Sequence, residues 1–228
     1  MPALANGLGL SRTRFRGGGF SPLSLSPLFW LDASQLGLSN GASVSSFTDL
    51  SGNGRHFVQT TPSKRPVYNS TGINSQPSVQ FDYVDDNMTC THPATTAFTL
   101  WFVWRPTTAG SSRQRVYNDS VGNRLIGFYD GSRSLFTGSF LTNGSASTST
   151  LVYIAQASSS GRSLRINGAT VTDTTSAGVL TGSAQLGGGP PEVMSGHIGQ
   201  MGLLNRVLTA GELASLVAYL TVRAGVAA

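Results

Sequence analysis

Apolar and polar residues alternate in short bursts from Leu28 onward, and turn-forming clusters separate the bursts. Leu28-Phe29-Trp30-Leu31 is too short for a buried helix and predicts a strand, with Trp30 large enough to anchor a core. Asn40-Gly41 and Ser51-Gly52-Asn53-Gly54 supply residues that tolerate positive φ, so the chain reverses on either side of a half-buried segment from Val44 to Leu50. Ser78-Val79-Gln80-Phe81-Asp82 alternates cleanly and buries Val79 and Phe81. Phe98 to Trp104 is the strongest strand. Phe98, Leu100, Phe102 and Trp104 face one way, Trp101 and Val103 the other, so both faces of its sheet need cover. More strands are predicted over 116–118, 124–129, 134–136, 151–156, 162–166, 169–171 and 197–204, with hairpin turns at Asp130-Gly131 and Asn167-Gly168. Asn143-Gly144 opens a Ser-, Ala- and Thr-rich run that reads as a surface loop.

Helical spacing enters only at the end. Thr209 and Glu212 make a capping box, and Leu213, Leu216, Val217 and Leu220 form one apolar stripe. The pattern therefore predicts an all-β sandwich over residues 27–228, opened by the Trp30 strand and closed by the segment from Ser195 to Leu208, with a short C-terminal helix.

Composition agrees: 228 residues bury a substantial core, and 28 glycines with much Ser and Thr mean many turns. Only 11% of residues are charged, as on surfaces covered by partners. The net charge of +5 is almost all arginine, since Lys64 is the single lysine, and arginine suits bidentate interface contacts. Cys90 is alone, so no intrachain disulfide forms, and a buried small hydrophobe is its expected role. No apolar run reaches membrane-spanning length, and the arginine-bearing N-terminus does not read as a signal peptide.

Residues 1–26 carry no period that could bury a face. Arg12, Arg14 and Arg16 alternate with Thr13 and Phe15, so an extended backbone would place the three guanidinium groups on one side. Two readings stand: a disordered tail, or an extended N-terminal arm that docks on a neighbouring subunit. In the second, Arg12, Arg14, Phe15, Arg16, Phe20, Leu23 and Leu25 make the contacts. Three arginines are a small electrostatic footprint, so nucleic acid is not an expected partner.

Trp30-Leu31-Asp32-Ala33-Ser34, Asp49-Leu50-Ser51-Gly52-Asn53-Gly54-Arg55 and Val79 to Asp86 resemble the front half of concanavalin A-like, laminin-G-type domains. Leu164 to Gly168 and Leu204 to Leu208 running into Glu212 resemble the back half. The resemblance covers about residues 27 to 225. It implies a jelly-roll sandwich of two antiparallel sheets. With the Gly/Pro-rich leader, the chain is similar to tailed-phage virion proteins, which implies synthesis in the host cytoplasm and residence in the virion. Other virion proteins, a homo-oligomer or a host surface glycan are then the expected partners.

The same superfamily includes glucanases, whose retaining chemistry needs two facing carboxyl groups. Only Glu192 and Glu212 are glutamates; Glu212 caps a helix and Glu192 follows two prolines, so no enzymatic activity is expected. His56, His92 and His197 lack metal-ligand spacing. Asp82, Asp85 and Asp86 form the one acidic cluster; they cap a strand end or hold Ca²⁺, and no other cofactor is expected. Tyr83, Tyr117 and Tyr129 are candidates for stacking on a sugar, with burial as the competing role. The expected function is a capsid decoration or cement protein attached through its arm. The alternative is a tail- or head-fibre-associated glycan-binding module.

Overall fold

The computed structural model describes residues 19–109, 113–119, 121, 123–189 and 191–227. Among these described residues sixteen strands and one α-helix follow in chain order. The first eight are β1 (Phe29–Asp32), β2 (Ser46–Phe47), β3 (Phe57–Val58), β4 (Val67–Ile73), β5 (Gln76–Asp82), β6 (Met88–Thr91), β7 (Phe98–Arg105) and β8 (Gln114–Asp119). Then come β9 (Arg124–Tyr129), β10 (Ser132–Phe136), β11 (Phe140–Ser145), β12 (Leu151–Ser158), β13 (Gly161–Ile166), β14 (Ala169–Asp173), β15 (Ser183–Leu186), β16 (Ser195–Leu204) and α1 (Ala210–Ala224).

They build two eight-stranded antiparallel sheets packed face to face, a jelly-roll sandwich. The first has the order β14-β13-β12-β7-β16-β5-β4, with β1 also on β16. The second runs β11-β10-β9-β8-β15-β6-β3-β2. As expected, the far end of the chain closes the domain: Phe29 to Asp32 pair with Leu203 to Gln200.

β7 explains the layering. Phe98, Leu100, Phe102 and Trp104 enter the core between the sheets, where Phe102 stacks on Tyr153 at 4.8 Å. Trp101 and Val103 enter a second apolar cluster on the outside of the first sheet, roofed by Leu216, Val217 and Leu220 of α1. Trp101 lies over its cross-strand neighbour Gly202, where a Cβ would sit 2.1 Å from the indole. α1 has the predicted capping box and runs four residues past Leu220 to an αL cap at Gly225.

Three expectations change. Trp30 does not anchor the inter-sheet core; Phe29 and Leu31 do, and alternation turns Trp30 out toward the cluster under α1. The loop expected after Asn143-Gly144 is present over 146–150, but Asn143, Gly144 and Ser145 themselves belong to β11. Asn143 is buried and its amide donates to the Leu164 and Ala169 carbonyls at 2.9 and 2.8 Å. The last residues before the sandwich are also regular: Pro22–Leu25 form a 3₁₀ turn capped by Ser21.

Candidate functional site

The stretch from Asp49 to Arg55, prominent in the sequence, is a structural clamp. The Asp49 carboxylate accepts from the backbone N–H groups of Trp30 (3.0 Å), Ser51 (2.8 Å) and Arg55 (2.9 Å), and from the Ser51 hydroxyl. Burial alone would raise its pKa, but those donors together hold it below the ordinary carboxylate value. Asn53 and Arg55 reach back to the Leu28 carbonyl, so one turn fastens the start of β1.

All ten acidic residues lie among the described ones. Five are paired with arginine: Asp130 with Arg113, Glu192 with Arg115, Asp173 with Arg162, Glu212 with Arg206 and Asp32 with Arg223. Asp119 is bonded to Thr181. Asp82, Asp85 and Asp86 come together as expected, with carboxylate oxygens within 4.8 Å of one another. Their bonds are those of a turn: Asp86 accepts from the Asp82 N–H at 3.0 Å and Asp82 from the Val84 N–H at 2.8 Å. Burial, then the neighbouring Asp82, pushes the Asp86 pKa up to about 6.

The remaining reactive groups are absorbed in packing. His197 bonds Ser78 at 3.0 Å, but both are buried, and burial lowers the imidazole pKa to about 4. His92 bonds Tyr117, and the His56 ring accepts from the Asp49 N–H. Burial pushes the Cys90 thiol up to about 11, leaving it protonated and inert.

The three candidate tyrosines part company. Tyr117 is fully buried in the inter-sheet core. Tyr83 is exposed in the acidic turn with φ at 69°. Tyr129 lies on the solvent side of the second sheet, because its neighbours Phe128 and Ile126 face the core. There it meets two aromatics that the sequence reading did not single out. The Phe140 ring is 4.4 Å from Tyr129, and Phe136 is 4.7 Å from Phe140. The Arg113 guanidinium sits 4.6 Å from the Tyr129 ring centre and bonds Asp130 at 2.8 and 3.3 Å. Phe140 is the most open, at 41%. The signal for both was available: in Leu135-Phe136 and Phe140-Leu141, adjacent apolar residues of a strand must point to opposite faces.

A polar field adjoins the aromatics. Arg115 donates to Glu192 and to the amide oxygens of Asn118 (2.9 Å) and Asn123 (3.0 Å), and Asn118 donates to Gln185 at 3.3 Å. Cross-strand register aligns Phe140, Phe136, Leu125, Asn118, Gln185 and Thr89 in one row over six strands.

Of the expected docking residues, Arg12, Arg14, Phe15 and Arg16 lie outside the described residues. Leu25 is not free for a partner: it is 4% exposed in the cluster under α1. Phe20 packs edge-on against Tyr219 at 5.9 Å, and Leu23 is exposed.

No protein-family model and no curated protein matches the chain. Solved structures do match in fold. The binding domain of botulinum neurotoxin serotype G aligns over 86% of this chain and 51% of its own, at 13% identity and a TM-score of 0.60. Trypanosoma rangeli sialidase aligns over 84% of this chain and 32% of its own, at 13% identity and 0.57. Domain 4 of the extracellular arabinanase AbnA from Geobacillus stearothermophilus, solved with arabinotriose, aligns over 78% of this chain and 100% of its own, at 10% identity and 0.56. The chain thus spans about a third of the sialidase and about half of the neurotoxin domain.

Proposed function

We propose that this sandwich is a non-catalytic glycan-binding module whose ligand lies on the solvent side of the second sheet. The observation that carries the reading is the group of Tyr129, Phe136 and Phe140 on an open sheet face beside the side-chain amides of Asn118, Asn123 and Gln185. A sugar ring has an apolar C–H face and a hydroxyl rim, and aromatic carbon next to amide donors and acceptors complements both. That AbnA domain 4, of like fold, was solved with arabinotriose is consistent with this use of the sandwich. Binding rather than hydrolysis fits the carboxylates, since those on this face, Asp130 and Glu192, are each held by an arginine.

A glycan array run on the full chain and on Phe140→Ala tests the reading. Saturable binding of a glycan class, weakened about tenfold by the substitution, is expected from the loss of one stacking contact. Binding that is indifferent to Phe140, or no binding, overturns it. Of the two functions expected from the sequence, the geometry favours this one. Attachment to a virion through residues 1–26 rests on the resemblance alone, and Leu25 is not available for it.

A further inference from the structure

We infer that the glycan held by this face is uncharged and extended, an internal stretch of a linear neutral polysaccharide and not a single acidic terminal sugar. This rests on the reading just proposed and follows from two further features of the same face.

The first is charge. A carboxylated sugar is gripped by a guanidinium with free N–H groups, in bidentate fashion. Both arginines beside the aromatics are already committed. Arg113 donates through Nε and Nη2 to the two carboxylate oxygens of Asp130. Arg115 donates through Nε to Glu192 and through Nη1 to Asn118 and Asn123. The two ion pairs offset one another, so an incoming carboxylate meets little net positive field and has to share each guanidinium with the carboxylate already on it. Neutral hydroxyls have no charged competitor to displace: the Asn118 and Gln185 amide oxygens, which already accept from Arg115 and Asn118, have a second lone pair each, and the Gln185 amide nitrogen can donate.

The second is shape. The row from Phe140 on β11 to Thr89 on β6 crosses five interstrand gaps, about 24 Å at the usual spacing. Its chemistry changes along the way: aromatic at Phe140 and Phe136, a buried leucine at Leu125, amide at Asn118 and Gln185, hydroxyl at Thr89. No single sugar touches both ends. An extended chain lying across the strands stacks one ring on Phe140 and bonds others to the amides.

Isothermal titration of the full chain with neutral linear oligosaccharides (manno-, cello- and arabino- series, mono- to hexasaccharide) tests this. Matched oligogalacturonates and sialic acid oligomers serve as the acidic arm. We expect affinity to rise about tenfold or more from mono- to hexasaccharide in one neutral series, with little dependence on salt. Phe140→Ala should weaken the hexasaccharide and Phe140→Tyr should restore it. Asp130→Asn keeps an Asn-Gly hairpin turn and frees Arg113, so that variant alone should gain affinity for the acidic oligomers. Tighter, salt-sensitive binding of acidic oligomers by the unmodified chain overturns the inference while leaving a glycan-binding face in place, as does equal affinity for mono- and hexasaccharide. Absence of binding in both arms, or binding that Phe140→Ala does not change, overturns the glycan-binding reading itself.

Discussion

Single side chains decide more here than the apolar pattern suggests. Asp49 gathers three backbone N–H groups and a hydroxyl, so Asp49→Ala leaves those donors unpaired and should cost about 2–4 kcal/mol in urea unfolding. Asp86 works the other way. Its folded pKa of about 6 lies above the ordinary value of 3.8, so its favourable contribution is complete below pH 3.8 and is lost as pH rises through 6. Asp86→Asn should therefore raise stability at pH 7.5 by about 1–2 kcal/mol, less than the full shift because the Asp82 side of the cluster is open to solvent. The gain should vanish by pH 4, which thermal melts at both pH values would read. Calcium added at pH 7.5 tests the second of the two roles the sequence leaves open for this cluster: coordination would lift the melting temperature of the unmodified chain and not of the variant. At this scale the residue types were legible and their partners were not. Asp49 announces a turn in the sequence, but its bond to Trp30 N–H joins positions nineteen apart, and nothing local encodes that.

At the scale of elements, strands with a strict period or a run of large apolar residues were readable, and short strands rich in polar residues were not. β7 was unmistakable because every residue from Phe98 to Trp104 but Thr99 is apolar, and α1 because its cap and stripe agree. β11 was missed because Asn143-Gly144 looks like a hairpin turn. The asparagine spends its side chain on two carbonyls of the neighbouring hairpin instead. β6 and β15 were missed because four residues carry too little alternation to stand out from a loop. The contact between α1 and the first sheet sets a prediction at this scale. Leu220→Ala opens a cavity over Trp101 and Ile154 and should cost about 2–5 kcal/mol. Gly202→Ala should be as damaging without removing any atom, since its methyl group would sit 2.1 Å from the Trp101 ring. Near-UV circular dichroism, which senses the tryptophan's surroundings, would register both.

Across the whole molecule the two sheets have different fates. The outer face of the first is covered by α1 together with Phe20 and Leu25, and the outer face of the second carries the aromatic group. Removing residues 19–26 together with 1–18, as against removing 1–18 alone, should lower the melting temperature by about 4–8 °C, because buried Leu25 contributes about 2 kcal/mol and a domain of this size loses about 2–4 °C per kcal/mol. The sandwich was legible from alternation and turns, but the strand order was not. Neighbours such as β8 and β15 are joined by register between Asn118 and Gln185, which only the folded chain brings together. The placement of Phe20 and Leu25 behind the first sheet has a further consequence. A support that grips the chain at Gly19 holds the domain by its back, leaving Phe140 and its neighbours turned toward the surrounding medium. Many copies fixed this way would form a lawn of individually weak grips, and a long polymer settling on several at once would be held far more firmly than any one copy could hold it.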